Sequence, residues 1–339
     1  MKVGFDISQI AHGGGVSTYT QNLARELSKD KTLEMRYFYS SLRKPYQGNL
    51  PNVKSFPIPP SVFEVVFNKV RVIPIESLIG GVDVFHSSDW TQPKTSAKKV
   101  TTYHDVIPLK FPQWSHPKIV EVHKKRLDLV ENEIDMVIAV SETTKKDLLE
   151  VSKIPEEKVV VIYEGVGEEF KRKDEGEVEK FRAKYNLPKE FVLAIGGIGE
   201  RKNIARIKES AKNYNLIITG ENLPRLSDEE MPFLYSAAKV LFYSSLYEGF
   251  GLPILESMAC GTPVITSNIS VMPEITKGAA LLVDPYDIED MKLKLKTLVQ
   301  DEDIREDMIG SGILRASDFR WDNCAAETKQ VYEKVLKGI

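Results

Sequence analysis

The sequence predicts an α/β protein made of two doubly wound, parallel-sheet domains. Short β-rich apolar runs alternate with helical segments along the chain, a pattern that calls for parallel sheets covered on both faces. At 339 residues the chain is longer than the roughly 100–200 residues of a single core. A charged, core-poor run, GEEFKRKDEGEVEKFRAKYNLPKE, then divides two such series. The expected layout is an N-terminal domain over 1–166, a linker over 167–190 and a C-terminal domain over 191–318. A final helix over 319–339 is expected to return to the N-terminal domain.

Taken in order, KVGFDI reads as the first strand and HGGG as a glycine turn. VSTYTQNLARELSK follows, with Val16, Tyr19, Leu23 and Leu27 at helical spacing. MRYFYSS, VDVFHSS, KKVTTYHD, DMVIAVS and KVVVIYEGV read as further buried strands, with HPKIVEVHKKRLDLVENEI as an amphipathic helix among them. Beyond the charged run, FVLAIGG, NLIITG, KVLFYSS, TPVITS and AALLVD repeat the strand pattern. DIEDMKLKLKTLVQ and DNCAAETKQVYEKVLKG close the chain as helices. Two doubly wound domains form one cleft, and ligand-binding residues are expected just after the strands that open onto it.

Composition narrows the function. Hydrophobic residues at 42%, charged residues at 28% and a formal charge of -3 describe an ordinary globular protein, with no basic excess to draw it onto nucleic acid. Cys260 and Cys324 are far apart and have no CxxC partner, which argues against a disulfide framework or a thiolate zinc site and fits a cytoplasmic protein. The N-terminal apolar run is too short for a signal peptide, and no stretch reaches the roughly 18 apolar residues of a spanning helix. HPKIVEVHKKR and SVFEVVFNKVR (61–71) carry apolar and basic faces suited to peripheral contact with an anionic membrane, at the inner face if it occurs. Ordinary core helices are the competing reading.

Chemistry concentrates at four strand ends. In KVLFYSSLYEGFGLPILESMACG, the loop glycines 249 and 251 permit close backbone approach, Pro253 suits a helix start and Gly261 a helix end. Free N–H groups at that helix start favour an anion. Glu248 in the loop and Glu256 in the helix suit a ligand with both phosphates and hydroxyls, such as a nucleotide sugar. Taken singly, Glu256 could merely complement the helix dipole and Glu248 be a solvated loop acid. AIGGIGERKN ends a strand in Gly196, Gly197 and Gly199, followed by Arg201 and Lys202. It lacks the Walker A pattern, and its cations are either a solvated turn or a clamp for a departing diphosphate. HGGGVST (12–18) lacks the third glycine of a dinucleotide fingerprint, and no acid ends the second strand, so an NAD site is disfavoured. TTYHDVIPL offers His104 and Asp105, as catalytic groups or as structural ones, with His86 a weaker candidate. His116 and His123 read as surface.

YEGFGLPILESMACGTPVI, with its acids eight positions apart, resembles the signature of retaining glycosyltransferases of family 4, whose two Rossmann-like domains form the GT-B fold. GGGVSTYTQNLAREL, VDVFHSSD, TYHDVIPL, AVSETTKKDLL, IYEGV, GERKN, VMPEI with LLVDPYD, and FRWDNCAAET match family stretches in order, so the resemblance spans nearly the whole chain. HGGGVSTY with TYHDVIPLKFP most resembles mannosyltransferases of surface-polysaccharide assembly.

The resemblance implies a metal-independent transferase with no cofactor, moving a sugar, mannose from GDP-mannose as the best guess, to a glycan or lipid-linked acceptor. It implies that Glu248 holds donor-sugar hydroxyls, that the backbone of Gly249, Phe250, Gly251 and Leu252 meets sugar and phosphates, and that Glu256 accepts from the ribose. Arg201 and Lys202 would take the diphosphate beside Gly197. Gly14 and Gly15 would lie against the donor, and His104 would contact the transferred sugar or the acceptor. The interval between RKN and LSDEEMPFLYSAA is about one βα unit shorter than the family's, in a part that often reads the base, so GDP and UDP both remain open as donor nucleotides.

Competing readings are an epimerase of the same fold, which needs no acceptor, and a sugar-nucleotide or glycan-binding protein with degraded chemistry. Asp301-Glu302-Asp303 matches the D-x-D of metal-dependent transferases, but it follows a helical run and reads as a helix junction.

Overall fold

The computed structural model describes residues 1–197 and 199–338. They form two compact units. Unit 1 holds Met1–Gly165 and the last helix, Trp321–Lys337, and unit 2 holds Val166–Arg320.

Unit 1 is a seven-stranded parallel sheet of β1 (Lys2–Asp6), β2 (Glu34–Ser40), β3 (Val53–Phe56), β4 (Val84–Ser87), β5 (Lys98–Tyr103), β6 (Met136–Ala139) and β7 (Val159–Val161). Their order is β3-β2-β1-β4-β5-β6-β7, reversing direction at β1, with Phe5 in register with Tyr37 on one side and His86 on the other. β4, β6 and the last four residues of β5 are buried because the middle of a parallel sheet has no solvated face. β3 escapes a sequence reading: VKSF is a half-exposed edge strand with no apolar run. Helix Gly15–Lys29 buries Tyr19, Leu23 and Leu27, three of the four residues its spacing singles out, and leaves Val16 half-buried. Each fully buried side chain of that size contributes about 1.5–3 kcal/mol.

Unit 2 is a five-stranded parallel sheet of β8 (Val192–Ala194), β9 (Leu216–Ile218), β10 (Val240–Tyr243), β11 (Val264–Ser267) and β12 (Leu281–Val283), ordered β12-β11-β10-β8-β9. It is the smaller sheet, in keeping with the short interval after RKN. Its core joins Val192, Ile218, Val240, Phe242 and Ile265 to Met291, Leu295 and Leu298 of helix Ile288–Gln300.

Several expectations need correction. Residues 167–190 are not a bare linker: Glu175–Tyr185 is a helix capped by Asp174, and it buries Val178 and Phe181 inside unit 2. Two apolar residues suffice to dock a helix that is otherwise charged. A further helix, Glu302–Ala316, lies between the two terminal helices read from the sequence, and Asp301 caps it by accepting from the Ile304 amide at 3.0 Å. SVFEVVFNKVR contains a short helix and a π-helical turn, Val65–Val70, and packs Phe63 and Phe67 against Phe38 and Phe85. Arg126, read as part of a basic face, is 1% exposed and lies over the Tyr103 ring, donating to the Thr102 carbonyl at 2.9 Å. No helix among the described residues is long and apolar enough to cross a membrane.

Candidate functional site

The candidate residues of unit 2 fall beyond the carboxyl ends of β8 and β10, adjacent strands of its sheet. Parallel strands aim their carboxyl ends the same way, so residues far apart in sequence converge there. Lys202 Nζ donates to Glu248 Oε1 at 2.8 Å, and Arg201 Nη1 meets Glu248 Oε2 at 2.6 Å. Arg201 Nη1 also donates to the Tyr247 carbonyl at 2.8 Å, and Lys202 Nζ to the Tyr243 hydroxyl at 2.5 Å.

Electrostatics explain why these charges persist under cover. Burial opposes ionisation of Glu248, but Lys202 and then Arg201 outweigh it and hold the carboxyl down at about 2. Burial likewise opposes the charge on Lys202, and Glu248 reverses that, leaving the ammonium raised above its ordinary value. Burial first, and then Glu248, push the Tyr243 phenol up to about 12. All three groups keep their ordinary charge state at neutral pH.

The backbone shapes the space around them. A Cβ on Gly197 would sit 3.0 Å from Lys202 Cγ, so the missing side chain lets the lysine stem pass. Gly251 takes φ +103° at the start of helix Leu252–Ala259, a conformation an L side chain resists. Phe250 and Leu252 bury their side chains, which suits a role for their backbone alone. Ser270 braces Glu248, accepting from its amide at 3.2 Å and donating to its carbonyl at 3.0 Å. Asn203 fixes the cationic turn by donating to the carbonyls of Ser244 and Pro285 at 3.1 and 2.8 Å. Glu256 lies in helix Leu252–Ala259. Its Oε2 accepts from the Tyr235 hydroxyl at 2.8 Å.

In unit 1, Gly14 caps helix Gly15–Lys29 with φ 79°, and a Cβ there would meet nothing within 4 Å. His104 follows β5, and its Nδ1 is 3.1 Å from Oε1 of Glu164, a residue that follows β7. His86 is a core residue. Its Nδ1 and Nε2 bond the Tyr332 and Thr102 hydroxyls at 2.7 and 2.9 Å, and burial lowers it to about 3. His123 is buried rather than surface, edge-on to Trp90 at 5.6 Å, and burial lowers it to about 4. His116 accepts from the Lys118 amide at 3.2 Å as the helix cap.

Sequence reasoning missed Tyr243, Tyr235, Ser270 and Glu164 as partners of the candidate residues. Glu164 lies within IYEGV, so the motif was visible while the pairing was not.

A model of the family Glycosyl transferases group 1 matches residues 144–315, and one of Glycosyltransferase Family 4 matches residues 13–170. The chain is 28% identical over 282 residues to the O-antigen chain mannosyltransferase B of Escherichia coli, covering 74% of each protein. It is 29% identical over 281 residues to the serotype-specific mannosyltransferase WbdA of Escherichia coli, covering 71% of this chain and 34% of that protein, so it spans about a third of WbdA. Among solved structures, the sucrose-phosphate synthase of Thermosynechococcus elongatus superimposes with a TM-score of 0.78 at 20% identity, covering 100% of both chains. That likeness shows the GT-B fold.

Proposed function

The chain belongs to the group 1 glycosyl transferases and is a glycosyltransferase, and on that premise we propose that it transfers mannose from GDP-mannose to a glycan or lipid-linked acceptor in surface-polysaccharide assembly. The mannosyltransferase relatives support the sugar. Transfer proceeds with retention and without a metal ion. The observation that carries this reading is the Arg201, Lys202 and Glu248 cluster at the strand ends of unit 2.

Two cations held by a carboxylate are ready to exchange it for a diphosphate, with Arg201 as a planar fork and Lys202 as a point charge. Freed from them, Glu248 accepts from donor-sugar hydroxyls. Glu256 accepts from the ribose, and the Gly249–Leu252 backbone meets sugar and phosphate. On unit 1, Gly14 and Gly15 lie against the donor, and His104 serves the transferred sugar or the acceptor. In the reaction the bond from the sugar's anomeric carbon to the leaving phosphate oxygen breaks, and a bond to the acceptor oxygen forms on the same face. The acceptor's proton passes to the leaving phosphate, while Arg201 and Lys202 stabilise the charge that develops on the diphosphate. The enzyme works in the cytoplasm, and exposed Val62, Val65 and Val70 beside Lys69 would give it peripheral contact with an anionic membrane. Absence of co-sedimentation with anionic vesicles would remove that contact.

Thermal denaturation with GDP, UDP and ADP and their sugar conjugates, each with and without EDTA, tests the donor, because a ligand that binds only the folded state stabilises it. The expected result is a GDP-specific shift that survives EDTA. A UDP-specific shift would overturn the choice of GDP-mannose, and a shift abolished by EDTA would overturn metal independence. Conversion of a nucleotide sugar to its epimer with no acceptor present would overturn transfer itself.

A further inference from the structure

The pairing of His104 with Glu164 lies outside the roles assigned so far. Glu164 is 3% exposed, and its Oε1 is 3.1 Å from His104 Nδ1. A buried carboxylate is costly unless it is paired, and an apolar side chain would fill the same space more cheaply. Burial raises the Glu164 carboxyl above its ordinary range, and the hydrogen bond with His104 is the first effect to oppose that. His104 is therefore the group that makes a charged Glu164 tolerable in this position.

The imidazole is held on a second side as well. The Tyr19 ring meets it edge-on at 4.6 Å, and the Tyr19 hydroxyl is fixed by Thr102 Oγ1 at 2.9 Å. Among the described residues no hydrogen bond is recorded to His104 Nε2, and His104 keeps about a tenth of its side chain exposed, at 11%. One ring nitrogen is thus taken by the protein, and the other is left for a ligand.

We propose that Glu164 is a positioning residue that fixes His104 as the Nδ1–H tautomer, so that Nε2 is presented as a hydrogen-bond acceptor for a sugar hydroxyl. This rests on the glycosyltransferase reading. A carboxylate cannot donate, so Nδ1 must carry the proton, and neutral imidazole then has its lone pair on Nε2. Had the proton stayed on Glu164, its O–H would donate to Nδ1, and Nε2–H would recognise an acceptor atom instead. The pair thereby sets which polarity of ligand group His104 recognises.

The test is long-range proton–nitrogen NMR on the full chain labelled with 15N-histidine, at a pH well above the histidine range. His104 is assigned from the signal lost in His104→Gln. The expected result is the Nδ1–H tautomer in the unaltered protein and a mixed population in Glu164→Gln. A dominant Nε2–H tautomer in the unaltered protein overturns the proposal, and that readout requires no turnover. In transfer assays Glu164→Gln is expected to lower kcat roughly tenfold to a hundredfold, by analogy with groups that orient metal-bound imidazoles, with donor KM little changed. A kcat equal to that of the unaltered enzyme would overturn the role. If the unaltered enzyme turns over no nucleotide sugar at all, the transferase reading fails, while the tautomer still decides the pair.

Discussion

Glu248 bridges Lys202 and Arg201, with one carboxylate oxygen on each cation at 2.8 and 2.6 Å. The acid proposed for sugar hydroxyls and the cations proposed for phosphate are therefore paired with one another. At the proposed donor site, binding breaks these contacts, so affinity is expected to measure an exchange of partners.

Removing the shared acid exposes that exchange. In Glu248→Ala two partly buried cations lose this counter-charge, and the cost is about 3 kcal/mol, the low end of the range for breaking a buried pair. In Lys202→Met Glu248 keeps Arg201, and the cost is about 1–3 kcal/mol. Urea unfolding should rank the variants in that order. Pyrophosphate should raise the Tm of Glu248→Ala by more than it raises that of the unaltered protein. Equal Tm shifts would count against a diphosphate taking the place of the carboxylate.

Tyr243→Phe removes an acceptor of Lys202 without touching the Glu248 ion pair. About 1 kcal/mol of stability should be lost, with weaker donor binding by calorimetry and no change in the number of sites. Donor affinity equal to that of the unaltered protein would mean that Lys202 is held well enough by Glu248 alone.

His86 and Glu248 contribute separable parts of the acid limb of stability. His86 falls from an ordinary 6.5 to about 3 in the folded chain, so its contribution is intact above about pH 6.5 and is lost as pH falls toward 3. Glu248 falls from 4.5 to about 2, so its contribution is intact above about pH 4.5 and is lost as pH falls toward 2. Unfolding free energy followed from pH 7 downward should flatten between about 6.5 and 3 in His86→Gln, and only below about 4.5 in Glu248→Gln. Slopes matching the unaltered protein in both variants would contradict these assignments.

Gly196 has no room for a side chain. A Cβ there would lie 2.0 Å from the Thr219 carbonyl oxygen, a backbone atom that moves only if β9 moves. Gly196→Ala should cost about 3 kcal/mol or more. Gly13→Ala, with φ +76° and nothing within 4 Å, should cost about 1 kcal/mol from conformation alone. Thermal unfolding of the two variants compares them directly, and equal costs would refute the steric distinction.

The alternation of strands and helices, the glycine turns and the acids of EGFG-to-Glu256 determined the two-sheet architecture and most of the unit 2 candidates. These are local signals: a strand buried on both faces must be apolar, and a turn that approaches a ligand closely must spare its side chain. β3 and the helix within 167–190 were illegible because an edge strand and a helix anchored by Val178 and Phe181 need little apolar surface. His123 was misread because its burial comes from Trp90, distant in sequence. Pairing lay beyond the sequence altogether. Glu248 meets Lys202 because β10 lies beside β8, and Glu164 reaches His104 because β5 and β7 flank β6. Only the folded sheet decides which strand ends become neighbours, and at those ends burial turns a separate acid and base into one charged unit.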